Sequence, residues 1–137
     1  MKNKLINEAK LAREEAYAPY SLFKVGASLL TSSGNIYKGC NIENASFPLT
    51  CCAERTAIFN AVSNGEREFS QMAIIADTKG PISPCGACRQ VMAEFFSDDV
   101  TIYLSNLFNE TVETTINELL PFTFKLWGKN LLKEGFV

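Results

Sequence analysis

Met72-Ala73-Ile74-Ile75-Ala76, closed by Asp77, is the longest unbroken apolar run in the chain. It falls far short of the roughly 18 residues a membrane helix needs, and it suits a strand covered on both faces. The flanks supply the cover. Upstream, from about Cys52 to Val62, the apolar residues Ala57, Ile58, Ala61 and Val62 share one helical face, with Gly65 just past the end. Downstream, Thr78 to Pro84 reads as a loop around Gly80-Pro81, and a second helix runs from about Gly86 to Phe96. Val100 to Ser105 is strand-like again. Helices that alternate with strands in this way lie on the faces of the sheet they connect.

The outer segments extend that sheet. Leu5, Ala9, Ala12 and Ala16 share one face of a helix from Asn3 to Ala16, which Ala18-Pro19 ends. Phe23, Val25, Ala27 and Leu29 alternate with Lys24, Gly26 and Ser28, the period of a half-buried strand. Ser32-Ser33-Gly34-Asn35 turns it into a second arm, Ile36 to Asn41, and residues 43 to 51 read as a loop. Asn106 to Asn109 is too short for a crossover helix, so a strand at Thr111 to Thr114 is expected to pair antiparallel. Asn117 to Leu120 forms a short helix stopped by Pro121. The order predicts an α/β fold, a three-layer α/β/α domain with a mixed five-stranded sheet. With 137 residues the chain fits a single domain. Its core is expected over about 17–121, followed by a C-terminal tail over 122–137 whose packing the composition does not assign.

Composition removes several functional classes. The net charge is −2 and there is no basic run, so the chain lacks the electrostatic footprint of a nucleic-acid binder. Histidine is absent, which excludes His triads, His proton shuttles and His metal ligands. The N-terminal Met1-Lys-Asn-Lys-Leu-Ile-Asn-Glu is charged too early for a signal-peptide core. Five cysteines, an odd number without such a signal, predict reduced thiols and a cytoplasmic location.

Those thiols carry the chemistry. Pro84-Cys85-Gly86-Ala87-Cys88 opens one predicted helix, and Cys52-Ala53-Glu54 opens the other. A lone C-x-x-C is compatible with a metal, a redox pair or plain packing. Both helices, however, follow loops at the carboxyl ends of what read as neighbouring strands, where open α/β sheets build their sites. Three thiols brought together there suit Zn²⁺ and leave the fourth tetrahedral position open, as in a catalytic site. Cys51 diverges from Cys52 by about 100° at a helix start, and Cys40 reads as a small buried residue. Three thiolates leave a bound zinc with net charge −1. The two helix N-termini and Arg55 are placed to offset it. Glu54 is too close to Cys52 to ligate and is better placed over the open position as a proton carrier.

The surrounding motifs resemble a known family. Tyr17-Ala-Pro-Tyr-Ser-Leu-Phe-Lys-Val-Gly-Ala27, Gly39-Cys-Asn-Ile-Glu-Asn-Ala45, Cys52-Ala-Glu-Arg-Thr-Ala57 and Ser83-Pro-Cys-Gly-Ala-Cys-Arg-Gln90 are similar to the small homotetrameric zinc-dependent cytidine deaminases. The resemblance implies hydrolysis of cytidine or deoxycytidine to uridine or deoxyuridine and ammonia, in pyrimidine salvage. It implies Cys52, Cys85 and Cys88 as zinc ligands and Glu54 as the catalytic proton carrier. Asn41 and Glu43 would bind the ribose 3′-hydroxyl, Phe23 would flank the pyrimidine, and the backbone at Ala53 and Ser83 would meet the base edge and leaving amine. Ala45 and Phe124 would reach a neighbouring subunit's active site across a homotetramer interface. The aromatic tail Phe122, Phe124, Trp127 and Phe136 would then be intersubunit surface. Two stretches depart from the pattern, Pro48-Leu49-Thr50-Cys51 and the end from Lys125 to Val137. An aminopyrimidine-antibiotic deaminase shares the metal site, although Asn41-Ile-Glu43-Asn44 argues for a plain ribose. A nucleic-acid deaminase, a structural-zinc module and a Cys85/Cys88 redox protein are the more distant alternatives.

Overall fold

The computed structural model describes residues 1–126; Trp127 and Phe136 of the aromatic tail lie outside the described residues. Helix α1 (Lys2–Glu14) precedes a hairpin of β1 (Val25–Thr31) and β2 (Ile36–Cys40). A 3₁₀ turn (Phe47–Leu49), α2 (Ala53–Ser63), β3 (Phe69–Ala76), α3 (Gly86–Phe95), β4 (Thr101–Asn106), β5 (Thr111–Thr114) and α4 (Ile116–Leu119) follow. The sheet order is β2-β1-β3-β4-β5. Only β3 and β4 pair in parallel, joined by the crossover through α3; the other three pairings are antiparallel, including β4 with β5 as expected. This is the mixed five-stranded, three-layer α/β/α fold. Among the described residues, no helix is long and apolar enough to cross a membrane.

The sheet is clad unequally. On one face Leu5 and Ala9 of α1 pack with Leu30, Ala73, Ile75 and Tyr103. On the other, α2 and α3 close a larger core of Ala27, Leu29, Ala57, Ile58, Met72, Ile74, Met92, Ile102 and Leu104. A large aliphatic side chain fully buried in this way contributes about 1.5–3 kcal/mol. The central run Met72–Ala76 is buried at every position, as its composition predicts.

Three expectations are corrected. The strand expected to be half-buried from Phe23 is buried along all of β1, and Phe23 and Lys24 lie before it. The small polar positions Gly26 and Ser28 are buried because α1 covers them, Ser28 Oγ donating to the Leu5 carbonyl at 2.6 Å. Strand β3 starts at Phe69, earlier than its apolar run, because pairing with β1 carries it through Ser70 and Gln71. Finally, the two strands that precede α2 and α3 are not neighbours: β1 lies between β2 and β3. Both run antiparallel to β1 and therefore end at the same edge of the sheet. Helices α2 and α3 return from that edge over one face and touch each other, so their N-termini sit side by side.

Candidate active site

Cys52 caps α2 and Cys85 caps α3, each with extended backbone (ψ 157° and 167°). Neither side chain caps its helix, so both sulfurs are free for another partner. Cys88 sits in the first turn of α3 and is fully buried, whereas Cys85 is exposed. The three sulfurs lie within 4.8 Å of one another, with Cys52–Cys85 at 3.9 Å and Cys85–Cys88 at 3.4 Å. Three thiolates at about 2.3 Å from a tetrahedral zinc would stand roughly 3.8 Å apart. The cluster fits that ion, and the ligands come from two helix N-termini that favour negative sulfur.

The thiols are not equivalent. A hydrogen bond from Cys88, opposed by burial and reinforced by Arg55, holds Cys52 down to about 5. Cys88 is pushed well above the usual thiol value, chiefly by its hydrogen bond to Cys52 and then by its own burial. Arg55 Nη2 donates to Cys52 Sγ at 3.3 Å, the sulfur-facing orientation expected for it, and this bond raises the guanidinium pKa. Arg55 Nε is buried without a hydrogen-bond partner.

Glu54 is 5% exposed and lies beside this cluster. Burial, with the neighbouring Cys52 charge adding to it, raises its pKa. Cys51 is not one of the clustered thiols; Thr56 Oγ1 lies 3.7 Å from its sulfur. Cys40, read as buried, is only half-buried, and burial followed by the charge of Glu15 raises its pKa.

The Asn41-to-Glu43 segment is tied into this region by backbone pairing. Ile42 forms isolated bridges with Tyr17 on one side and Cys51 on the other. Cys51 precedes the first clustered thiol, so the bridge fixes the polar motif beside α2. Asn41 Oδ1 accepts from Val25 N at 2.9 Å and its Nδ2 donates to the Phe23 carbonyl at 2.7 Å. Glu43 is buried and accepts from Tyr20 N, Ser21 N and Ser21 Oγ. The Ser21 hydroxyl in particular holds its carboxyl below the usual range. Phe23 is partly exposed at 39%; Ala45, Ser83 and Phe124 are exposed, and Ala53 is fully buried.

Three polar anchors escaped the sequence reading. Thr56 Oγ1 lies 2.9 Å from both the Cys52 and Cys40 carbonyls, linking α2 to β2. The i−4 bond to Cys52 is a known habit of threonine in helices and was the available signal. Ser21 had none, because its partner Glu43 is distant in sequence, and Arg89 had none for its bond to the Leu119 carbonyl, thirty residues on.

Three clustered thiols with a buried carboxyl beside them, and no fourth clustered ligand among the described residues, fit a zinc-dependent hydrolytic class of enzyme. The model of the cytidine and deoxycytidylate deaminase zinc-binding region matches residues 1–104, and the chain belongs to that family. A cytidine deaminase of Sporosarcina psychrophila is 59% identical over 121 residues, covering 88% of this chain and 89% of that one. A cytidine deaminase of Halalkalibacterium halodurans is 57% identical over 120 residues, covering 88% and 91%. The crystal structure of cytidine deaminase from Burkholderia pseudomallei superposes with a TM-score of 0.89 at 50% identity, covering 90% of this chain and 99% of that one.

Proposed function

We propose that the chain hydrolyses cytidine and deoxycytidine to uridine and deoxyuridine with release of ammonia. It would act in the cytoplasm, in pyrimidine salvage, as a single-domain subunit of a homotetramer. The observation that carries the activity is the placement of a buried Glu54 carboxyl beside three sulfurs within 4.8 Å of one another. Cys52, Cys85 and Cys88 would hold the zinc, which would supply a Lewis acid that lowers the pKa of water toward neutrality. Glu54 takes a proton from the attacking water and passes it to N3 of the pyrimidine as C4 becomes tetrahedral. It then takes the remaining proton from the new C4 hydroxyl and delivers it to the amine, so that the C4 carbonyl forms as the C4–N bond breaks and ammonia leaves. Burial raises the Glu54 pKa above the usual carboxylate value, the direction that suits a group which must both take up and give back a proton.

Substrate placement falls to the remaining residues. Asn41 and Glu43 meet the ribose 3′-hydroxyl, and Phe23 flanks the ring. The Ala53 and Ser83 backbone meets the base edge and the departing amine. Arg55 offsets the surplus charge of three thiolates. Ala45 and Phe124 reach a neighbour's site. The exposed Phe122 and Phe124, and an apolar groove of about 480 Å³ lined by Ile42, Leu49, Cys51 and Phe59, support buried intersubunit surface.

The deciding experiment follows ultraviolet loss of cytidine with ammonia release, beside a zinc determination on the same protein. Turnover with about one zinc per chain is expected. Zinc without turnover of cytidine, but with turnover of an aminopyrimidine antibiotic, would replace the substrate. Neither zinc nor turnover after reduction and metal reconstitution would overturn the site.

A further inference from the structure

Arg89, immediately after the last clustered cysteine, directs three N–H groups to three separate acceptors. Its Nη2 donates to Ser83 Oγ at 2.7 Å and its Nε to the Pro84 carbonyl at 2.8 Å. Its Nη1 donates to the Leu119 carbonyl at 2.6 Å. The first two acceptors belong to the turn that delivers Cys85 to the metal cluster. The third ends α4, at the head of the segment carrying Phe122 and Phe124. Gln90 extends the tie, its Nε2 donating to the Phe124 carbonyl at 3.0 Å. A guanidinium is planar and its donors point in fixed directions. Acceptors on both segments therefore have to stand in register to be bonded together.

We propose that Arg89 couples zinc occupancy to order in the C-terminal segment. When a metal fixes Cys85, it fixes the Ser83-Pro84 turn. Arg89 then has two stationary acceptors, and its third donor holds Leu119 and the chain beyond it. With the metal removed, the turn loosens, the guanidinium loses its platform, and residues 119–126 loosen with it. Arg89 is a positioning residue, acting through the turn and the segment rather than on a substrate. The inference rests on the zinc site and not on the choice of substrate, so failure to turn over cytidine leaves it untouched.

The test is hydrogen exchange on the full chain, reduced and chelator-treated, before and after one equivalent of zinc. In the wild type, zinc is expected to slow exchange at least fivefold in peptides spanning 53–63, 79–88 and 116–126. In Arg89→Ala and Arg89→Lys, the first peptide should still respond. The last should change less than twofold, because neither side chain bridges both segments. Gln90→Ala should release residues 122–126 alone and leave the Ser83 turn responsive. Two outcomes overturn the proposal: a 116–126 peptide that zinc protects equally in the Arg89 variants, or one that ignores zinc in the wild type while 53–63 responds. The wild-type arm decides even if Arg89→Ala does not fold.

Discussion

Glu54 and Glu43 are both buried carboxyls, and their surroundings push them in opposite directions. Glu54 sits beside a thiolate in a desolvated site, and its pKa rises. Glu43 receives one hydroxyl and two backbone N–H donors, and its pKa falls. Two carboxyls set apart in this way point to a proton carrier and a fixed anion. Glu54→Gln keeps the shape but cannot exchange protons. It should retain about one zinc per chain and lose turnover on the order of 10⁴-fold, the upper end for one proton-transfer group. Steady-state kinetics with a metal determination checks this. For Glu43 the sign follows from its lowered pKa. Its contribution to stability is complete above the ordinary value of 4.5 and is lost as pH falls from there through the lower folded value. The protection of the Tyr20 and Ser21 amides, taken relative to their intrinsic exchange rate at each pH, should therefore fall on acidification, and Glu43→Gln should remove that step. Glu54 was legible from its spacing to Cys52. The donors to Glu43 were not, because they come from a loop that no periodicity places.

At the level of elements, the distance between α2 and β2 is set by Gly39. A Cβ there would stand 2.3 Å from Ala57 N and 2.6 Å from the Ala53 carbonyl, both helix backbone. Gly26 plays the same part for α1 on the opposite face, where a Cβ would lie 2.0 Å from the Ala9 carbonyl. Gly39→Ala should cost at least about 1–3 kcal/mol through overpacking, read as a lower midpoint in denaturant. Because α2 begins at the Cys52 cap and carries Glu54, the same variant should also bind zinc more weakly, measured by competition with a chelator. The helices and strands near the site were readable from periodicity, and so was the short antiparallel return to β5. The full burial of β1 was not. Gly26 and Ser28 look like the polar side of an alternating strand until α1 is seen to lie across them. A glycine inside a strand does signal close backbone approach, but it does not say which helix approaches.

At the level of the whole molecule, the proposed assembly makes a prediction that one chain cannot satisfy. Phe122 is fully exposed and Phe124 is 69% exposed, although both are large apolar rings. A homotetramer covering them should sediment at four times the 15.2 kDa of one chain. If Phe124 stacks on a neighbour's pyrimidine, Phe124→Ala should lower kcat/KM by about tenfold, in line with 1–3 kcal/mol for an aromatic stacked on a base. Mixing then separates a ring supplied by a neighbour from one supplied in the same chain. A Glu54→Gln chain keeps Phe124, and a Phe124→Ala chain keeps Glu54. Co-refolded in equal amounts, they should recover full activity in about a quarter of sites, those pairing an intact Glu54 with an intact neighbouring Phe124. A ring acting within its own chain predicts no recovery, because no chain in the mixture holds both residues. Activity at or below the sum of the separate variants would thus assign Phe124 to its own subunit, even if the tetramer mass is found.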